Sequence, residues 1–208
     1  MAFSFSILAP AELALLRGLR TPQKIQDFLD SFTYNFETDG ETCLSPRRVL
    51  RERRAHCIEG AMLAALALRL HGEAPLILDL TAAPHDYDHV VALFKRHGHW
   101  GAISKTNHSV LRYRDPVYKT IRELALSYFH EYTDDDGKKT LRSYSRPVDL
   151  SRLDHLHWMT SEDNLWDITH ALNRARHYSL ISRVQLNTLR KQHPLEQNAS
   201  MLTEWEKE

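Results

Sequence analysis

The character of the chain changes sharply at Cys57. The segment before it, from Arg47 to Arg54, is rich in arginine, whereas the segment from Ile58 to Leu70 consists almost wholly of Ala, Leu and Met. These apolar residues are strong helix formers, and an apolar surface on nearly all sides indicates a helix that is buried on most sides. Gly72 is the expected C′ residue that ends this helix. The pattern therefore predicts a central buried helix with Cys57 in its first turn.

The N-terminal part of the chain repeats one helix-start signal. Pro10, Thr21-Pro22 and Ser45-Pro46 each mark a start, because proline fits the first helical position and a hydroxyl caps the helix. Apolar residues fall at helical spacing over residues 25–32, behind the second signal. Residues 33–44 are rich in turn-forming residues and are expected to be a loop. The segment therefore predicts helices over residues 10–32 and a short helix just before the central one.

Downstream of Gly72, short apolar runs bounded by turn residues predict strands. These runs cover residues 76–80, 89–95 and 100–104. The last two runs are joined by a short turn that contains Gly98, which predicts an antiparallel hairpin. Residues 108–114 are a candidate extension of the same sheet.

The C-terminal half also contains predicted elements. A helix is predicted to start at Asp115-Pro116, an edge strand to cover residues 140–144, and further helices to start at Ser161 and to cover residues 180–190. The composition is polar after His193-Pro194, so residues 193–208 are expected to be a loosely held tail.

Together these elements predict one α+β domain over residues 1–192. Its core covers about residues 46–145, where the central helix packs on an antiparallel sheet. Helices over residues 10–32 and 161–190 are expected to flank this core at both ends. A chain of 208 residues is long enough to bury a core of this kind.

The composition limits the classes of partner. Lys plus Arg and Asp plus Glu each number 27, so no net charge draws the chain to nucleic acid. No apolar run approaches the ~20 residues that span a bilayer, and the N-terminus lacks the form of a signal peptide. Two cysteines are too few for a disulfide framework. We therefore expect a cytoplasmic protein with neither a nucleic-acid nor a membrane partner, and the oligomeric state stays open.

Cys57 and His89 carry the candidate chemistry. The unpaired N–H groups and the positive dipole end of a helix start favour a thiolate at Cys57. A strand that begins at His89 and packs on this helix start can hold the imidazole near the sulfur, where it takes the proton of the thiol and later gives it to a leaving group. The alternative is that Cys57 is a small, inert, buried residue.

This order of residues resembles the core of the transglutaminase-like superfamily. The segment Cys57-Ile-Glu-Gly-Ala-Met-Leu-Ala-Ala-Leu is similar to the cysteine helix of the family. Asp88-His89-Val-Val-Ala-Leu-Phe is similar to its histidine strand, and His97-Gly98-His99-Trp100 to the turn and tryptophan that follow. The resemblance covers roughly residues 46–104. It implies a papain-like α+β fold in which a Cys-His-Asp triad performs acyl transfer or amide hydrolysis.

The third triad member departs from the pattern of the family. The family has an aspartate shortly after the tryptophan, and here Ser104 is nearest that position. A serine hydroxyl can accept a hydrogen bond from His89 and orient it, but it cannot offset the charge of an imidazolium. Asn107 is the next candidate, because asparagine fills this role in papain-like sites. Asp79 and Asp115 are further alternatives.

Three other residues near the candidate site have expected roles. Trp100 is predicted to pack over the site or the core, and it is the candidate substrate-binding residue. Glu59 is expected to be a favourable charge at the positive end of the helix dipole. His56 is not expected to be the base, because adjacent helical residues point in different directions.

Neither a metal nor a cofactor is expected. The thirteen histidines include no His-Glu-x-x-His motif, and the two cysteines form no Cys-x-x-Cys motif. The alternating pairs His97/His99 and His155/His157 leave a histidine-based metal protein as a third option. No glycine-rich phosphate loop is present.

The sequence therefore predicts a cysteine-dependent acyl-transfer enzyme. Cys57 is expected to form a thioester from a peptide or another amide-containing substrate, with His89 as the general base. Hydrolysis is favoured over transamidation because water is always available. The alternative function is a transglutaminase-like domain that has lost catalysis and acts as a binding or scaffolding module, which Ser104 in the aspartate position favours.

Overall fold

The central element of the computed structural model, which describes residues 5–204, is helix α4 over Cys57–Leu70. Almost every residue of α4 from Ile58 to Leu68 is buried, as its all-round apolar sequence requires. Gly72 has a φ of 84° and follows the last residue of the helix cap. The described chain also contains the helices α1 (Pro10–Gly18), α2 (Pro22–Asp30), α3 (Pro46–Glu52), α5 (Ile121–Leu126), α6 (Trp166–Arg174), α7 (Arg183–Leu186) and α8 (Pro194–Ser200), and a 3₁₀ helix over Leu150–Leu156.

The strands form one large antiparallel sheet and one small parallel pair. The small pair joins β1 (Thr33–Tyr34) to β2 (Arg54–Ala55). The large sheet has the order β6-β5-β4-β3-β7-β9, and β8 also pairs with β3. Its strands are β3 (Leu76–Thr81), β4 (His89–Arg96), β5 (His99–Ile103), β6 (Arg114–Tyr118), β7 (Ser143–Ser145), β8 (Val148–Asp149) and β9 (His177–Ser179).

The middle of this sheet is covered on both faces. Val90, Ala92 and Phe94 of β4 belong to the core cluster around α4, whereas Val91 and Leu93 belong to a second cluster that includes residues of α5. Successive side chains of a strand point to opposite faces, so each face of β4 has its own core. This explains why β4 is a continuous apolar run instead of an alternating one.

The N-terminal helices and the central hairpin are confirmed. Helices α1, α2 and α3 begin at Pro10, Pro22 and Pro46, as the start signals predict. The Thr21 and Ser45 hydroxyls each accept a hydrogen bond from a first-turn N–H group. Strands β4 and β5 pair as an antiparallel hairpin. The predicted α+β class, with a cysteine-bearing helix beside an antiparallel sheet, is therefore confirmed.

The helix predicted at Asp115-Pro116 is wrong. These residues belong to strand β6, and the helix α5 begins later, where the Thr120 hydroxyl accepts from the N–H group of Glu123. Strand β6 is at the edge of the sheet, and its pairing with β5 has a register shift between Trp100 and Ala102, so a proline is tolerated there. The dipeptide was consistent with either element, and the true cap lay five residues downstream.

Three further C-terminal predictions need correction. The strand predicted over residues 140–144 is β7, but it is not an edge strand. The short strand β9 pairs with it on the side away from β3, so β7 lies inside the sheet. The helix predicted from Ser161 begins at Trp166, because the Ser161 hydroxyl instead bonds Asp163 in a turn. The helix predicted over residues 180–190 is the single turn α7, whose Val184 and Leu186 side chains are exposed, so no buried face extends it.

The polar C-terminal segment, which is expected to be a loosely held tail, forms a helix and backbone hydrogen bonds over residues 194–204. It forms α8, which the His193 ring caps while the Glu196 carboxylate accepts from the His193 N–H group. The segment then pairs with the 107–109 loop, because the Ser109 N–H donates to the Leu202 carbonyl and the Glu204 N–H donates to the Asn107 carbonyl. Residues 205–208 of the predicted tail lie outside the described residues.

No helix within residues 5–204 is both long and apolar enough to cross a membrane.

Candidate active site

Cys57 is the first residue of α4, and His56 is the N-cap residue before it. The backbone of His56 is extended, with φ −96° and ψ −171°, because the preceding residues Arg54–Ala55 form strand β2 against β1. This change from strand to helix occurs within one residue. The Cys57 side chain is partly exposed and lines a cavity of about 290 Å³.

His89, the first residue of β4, lines the same cavity and is 6% exposed. Its Nε2 atom lies 2.8 Å from the Ser104 Oγ atom. The Ser104 hydroxyl donates its one proton to the Leu111 carbonyl at 2.7 Å, so it accepts from His89. His89 Nε2 is therefore the protonated nitrogen. The neutral imidazole thus has its lone pair on Nδ1, which is the form a general base requires.

Ser104 is held in place by contacts to its backbone and its neighbour. The Gln26 side chain accepts from the Ser104 N–H at 2.9 Å and donates to the Ser104 carbonyl at 2.8 Å. A Cβ atom on Gly60 would lie 2.5 Å from the Cβ atom of Lys105, so glycine lets α4 approach this segment closely. The buried Lys105 ammonium donates to the Phe32 carbonyl at 2.6 Å.

The other candidates for the third triad position are placed elsewhere. Asn107 lines the cavity, and its carbonyl holds the C-terminal segment. Asp79 lies 3.0 Å from the Nε2 atom of a different histidine, His177. Asp115 is exposed on β6. Of the four candidates, Ser104 is thus the one that lies behind His89.

The expectation that His56 points away from Cys57 applied to a helix that has already begun at residue 56, and α4 begins one residue later. The His56 Nδ1 atom lies 4.0 Å from the Cys57 Sγ atom, a long contact for a hydrogen bond to sulfur. The expectation assumed that residue 56 is already helical, whereas His56 is the extended cap residue. The His56 Nε2 atom lies 3.1 Å from the Thr42 carbonyl oxygen. A carbonyl oxygen can only accept a hydrogen bond, so His56 Nε2 carries a proton.

Glu59 lies in the first turn of α4, as expected, and its side chain is buried behind His56. The side chain is 0% exposed, and its Oε1 atom lies 3.3 Å from His56 Nε2. Four other groups also donate to this carboxylate: Asn35 Nδ2, Thr42 Oγ1, the Leu44 N–H and the His56 N–H. A buried carboxylate with this many donors stays ionised.

The pKa values of Cys57, His56 and Glu59 are all shifted from their ordinary values, because the three side chains interact with one another. Burial alone raises the pKa of the Cys57 thiol, but the contacts and positive charge of His56 and then of His89 outweigh it and bring the pKa to about 5. Burial alone lowers the pKa of His56, but the contacts with Cys57 and Glu59 raise it to about 11. Burial raises the pKa of Glu59, but His56 and the backbone N–H donors lower it to about 2. The arrangement therefore favours a thiolate beside an imidazolium and a carboxylate.

The rest of the cavity wall is acidic and aromatic. Asp86, Asp88 and Asp135 contribute carboxylates, and none of the described lining residues is Lys or Arg. Burial raises the pKa of Asp88 above its ordinary value. Burial also raises the pKa of Tyr34, so its phenol stays neutral at the cavity wall. Gln197, Ser200, Met201 and Thr203 of the C-terminal segment form another side of the cavity.

Trp100, the predicted substrate-binding residue, is not brought to this cavity. Its ring packs against the second core cluster, and the Lys95 ammonium lies 5.0 Å from the ring centroid. The predicted substrate role of Trp100 gains no support from this position, which fits the packing role.

Sequence reasoning missed His56, Glu59 and Tyr34 as parts of the site. A signal for the first two was present, because a cap residue followed by Glu three positions later is the pattern of a capping box. Tyr34 lies in the segment predicted as loop, where the two-residue strand β1 is too short to detect. None of the three has a spacing that by itself indicates catalysis.

A metal centre is not formed by the described residues, since residues 5–204 contain no group of three or more His, Cys, Asp or Glu that could hold an ion. His97 and His99 of one predicted pair instead lie at the β4–β5 turn, where His99 Nδ1 is 3.0 Å from the His97 carbonyl.

Comparison with known proteins adds no assignment: no protein-family model matches the chain, and no curated protein sequence does.

Proposed function

We propose that this protein is a cysteine-dependent acyl-transfer enzyme that forms a thioester on Cys57 and hydrolyses an amide or peptide bond. The observation that carries the proposal is the Cys57 thiol, whose pKa is lowered to about 5 beside two histidines while its side chain lines an open cavity. Perturbed pKa values of nucleophiles in clefts are typical of catalytic sites. A thiolate is the reactive form of cysteine.

The first half-reaction uses Cys57 and His89. The thiolate attacks the carbonyl carbon, the C–S bond forms, and the electron pair of the carbonyl moves to its oxygen. In the proposed mechanism, the unpaired N–H groups of the first turn of α4 bind this oxyanion. When the C–N bond breaks, His89 gives the proton that it took from the thiol to the leaving amine.

The second half-reaction returns the enzyme to its starting state. The Nδ1 atom of neutral His89 takes a proton from water, and the hydroxide attacks the thioester carbon. The C–S bond breaks with the electron pair on sulfur, and the acid product leaves. The hydrogen bond from His89 Nε2 to Ser104 keeps Nδ1 unprotonated for this step.

The resemblance to the transglutaminase-like superfamily belongs to the same proposal. The chain order of helix cysteine, strand histidine and Trp100 matches that family, and the papain-like core is the fold we propose for it. Ser104 replaces the carboxylate that the family has behind the histidine. We also propose a reducing, cytoplasmic environment, in which both free cysteines stay reduced.

The test is selective labelling followed by turnover. At pH 6.5, iodoacetamide should alkylate Cys57 far faster than Cys43, as measured by mass spectrometry of the peptides. In His89→Ala this selectivity should fall. The activated ester p-nitrophenyl acetate should then acetylate Cys57 and be turned over repeatedly, as measured by p-nitrophenolate release. Equal labelling of the two cysteines in the native protein would remove the proposal.

A binding or scaffolding module is the second candidate, and the neutral Ser104 behind His89 favours it. Without a carboxylate, the imidazolium of His89 is less well stabilised than in the family. This candidate predicts one acetyl group on Cys57 without further ester turnover. Repeated turnover would exclude it.

A further inference from the structure

We propose that His56 and Glu59 form a second catalytic pair, in which a permanently protonated His56 holds Cys57 as a thiolate while His89 moves the protons. This inference deepens the proposed function and rests on it. His56 touches the reacting sulfur, and Glu59 is a positioning residue that acts through His56.

The two ring nitrogens of His56 face different groups: one nitrogen faces a carboxylate and the other faces the sulfur. Nε2 lies 3.3 Å from Glu59 Oε1 and 3.1 Å from the Thr42 carbonyl. Nδ1 lies 4.0 Å from the Cys57 Sγ atom. Both nitrogens therefore face groups that prefer a donor, so the doubly protonated ring satisfies them at once.

The two histidines next to Cys57 differ in what stands behind them. Glu59 is charged and fully buried behind His56, whereas neutral Ser104 stands behind His89. A carboxylate stabilises an imidazolium far better than a hydroxyl does. The charge that the transglutaminase-like pattern places behind the strand histidine is thus supplied here behind the cap histidine.

The carboxylates and phenols near Cys57 supply no positive charge to the thiolate. Glu37 lies 3.6 Å from His56 Nε2 and strengthens its positive charge. Asp88 and the neutral Tyr34 and Tyr132 face the sulfur from the other elements that line the cavity. His108 also lines the cavity, but burial lowers its pKa, so among the described groups the imidazoles of His56 and His89 are the ones that contact the sulfur and offset its charge.

The division of roles leaves the reaction balanced. His56 keeps its proton throughout the cycle and donates toward the sulfur, whether the sulfur is a thiolate or a leaving group. His89 accepts a proton from water when the thioester is hydrolysed and gives that proton to the leaving amine of the next acylation. No further reactant is required.

The test measures the pH dependence of Cys57 alkylation by iodoacetamide in four proteins. The wild type should show a midpoint well below that of a free thiol. In His56→Asn, which places a neutral residue that is favoured at an N-cap, the midpoint should rise by at least one pH unit, which is tenfold less thiolate below the midpoint. Glu59→Gln should raise it in the same direction by less. His71→Asn, which changes a histidine at the opposite end of α4, should leave it unchanged.

The measured midpoints distinguish a failure of this inference from a failure of the proposed function. A wild-type midpoint at the ordinary thiol value removes both. A low wild-type midpoint that is unchanged in His56→Asn and Glu59→Gln overturns this inference alone, because His89 then suffices. Thermal unfolding of each variant checks that it is folded before its midpoint is compared.

A wild-type measurement keeps the inference testable if the variants do not fold. NMR of protein with labelled histidine rings should show at least one doubly protonated ring at pH 8, and the signals of that ring should shift when Cys57 is alkylated. Thirteen neutral rings at pH 8 would overturn the inference.

Discussion

Cys43 and Cys57 both lie near the carboxylate of Glu59, but the pKa values of their thiols are shifted in opposite directions. Cys43 is 0% exposed, and burial followed by the negative charge of Glu59 raises its pKa to about 12. Cys57 has His56 between its sulfur and Glu59, so the carboxylate stabilises a cation that in turn stabilises the thiolate. The difference teaches that a buried carboxylate disfavours a thiolate that it faces directly, whereas the same carboxylate stabilises the imidazolium that lowers the pKa of Cys57.

The comparison of the two cysteines also shows that the position of a cysteine in the sequence does not by itself decide the reactivity of its thiol. The two cysteines are the same residue type, both free, in adjoining parts of the N-terminal half of the chain. Cys43 packs in the core cluster, while Cys57 opens on the cavity. The helix start that favours a thiolate at Cys57 acts together with contacts that only the fold supplies.

The largest expected effect comes from Cys57→Ala. Turnover of p-nitrophenyl acetate should fall by about 10⁴-fold or more, because the nucleophile is lost. Circular dichroism and thermal unfolding should show a fold close to that of the wild type. Residual turnover near the wild-type rate would show that Cys57 is not the nucleophile.

His89→Asn should have the next largest effect on the same assay. General acid–base catalysis contributes about 10²–10⁴-fold, and the asparagine removes the base while leaving an amide near Ser104. The loss should be concentrated in deacylation, so acetylated Cys57 should accumulate and be visible by mass spectrometry. Unchanged turnover would assign the proton transfer to another group.

Ser104→Ala should produce a smaller loss, of about tenfold, since it removes one hydrogen bond and leaves the His89 Nε2 proton unpaired. The pH profile of turnover should change along with the rate, because the tautomer of His89 is no longer fixed. A purely structural role would lower the melting temperature without moving that profile.

A stability measurement sharpens the comparison without any substrate. The folded pKa of Cys57 is about 5, below the ordinary thiol value of 9.0, so the thiolate contributes stability that is complete above about pH 9 and is lost as the pH falls toward 5. The free energy of unfolding of the wild type, minus that of Cys57→Ala, should therefore increase from pH 5 to pH 9. A difference that is independent of pH would contradict the lowered pKa.

Much of the scaffold could be predicted from the sequence, because local patterns determined it. The all-apolar run of α4 and the proline start signals needed no knowledge of distant residues. Asp115-Pro116 was ambiguous for a physical reason: the same dipeptide suits a helix start and an edge strand, and only the pairing of β6 with β5 decides between them.

The site was only partly predictable. His89 and Cys57 follow from local position, and Ser104 follows from its place after the hairpin. Glu59 does not, because its role depends on burial and on Asn35, Thr42 and Leu44, which the chain brings back from a segment without clear periodicity. Burial turned an ordinary first-turn carboxylate into the partner of His56.

The smallest expected effect on activity comes from Cys43→Ala, which is the matched control for every Cys57 experiment. Cys43 lies in the core cluster and contacts neither imidazole by a described hydrogen bond, so ester turnover and the alkylation midpoint of Cys57 should stay at wild-type values. The loss of a buried side-chain atom should cost about 1 kcal/mol of stability, measured by denaturant unfolding. In the wild type, Cys43 should react with iodoacetamide only when the protein unfolds, because burial both shields it and keeps it a thiol. If Cys43→Ala lowered ester turnover as Cys57→Ala does, the contrast between a core thiol and a cavity thiolate would have no basis.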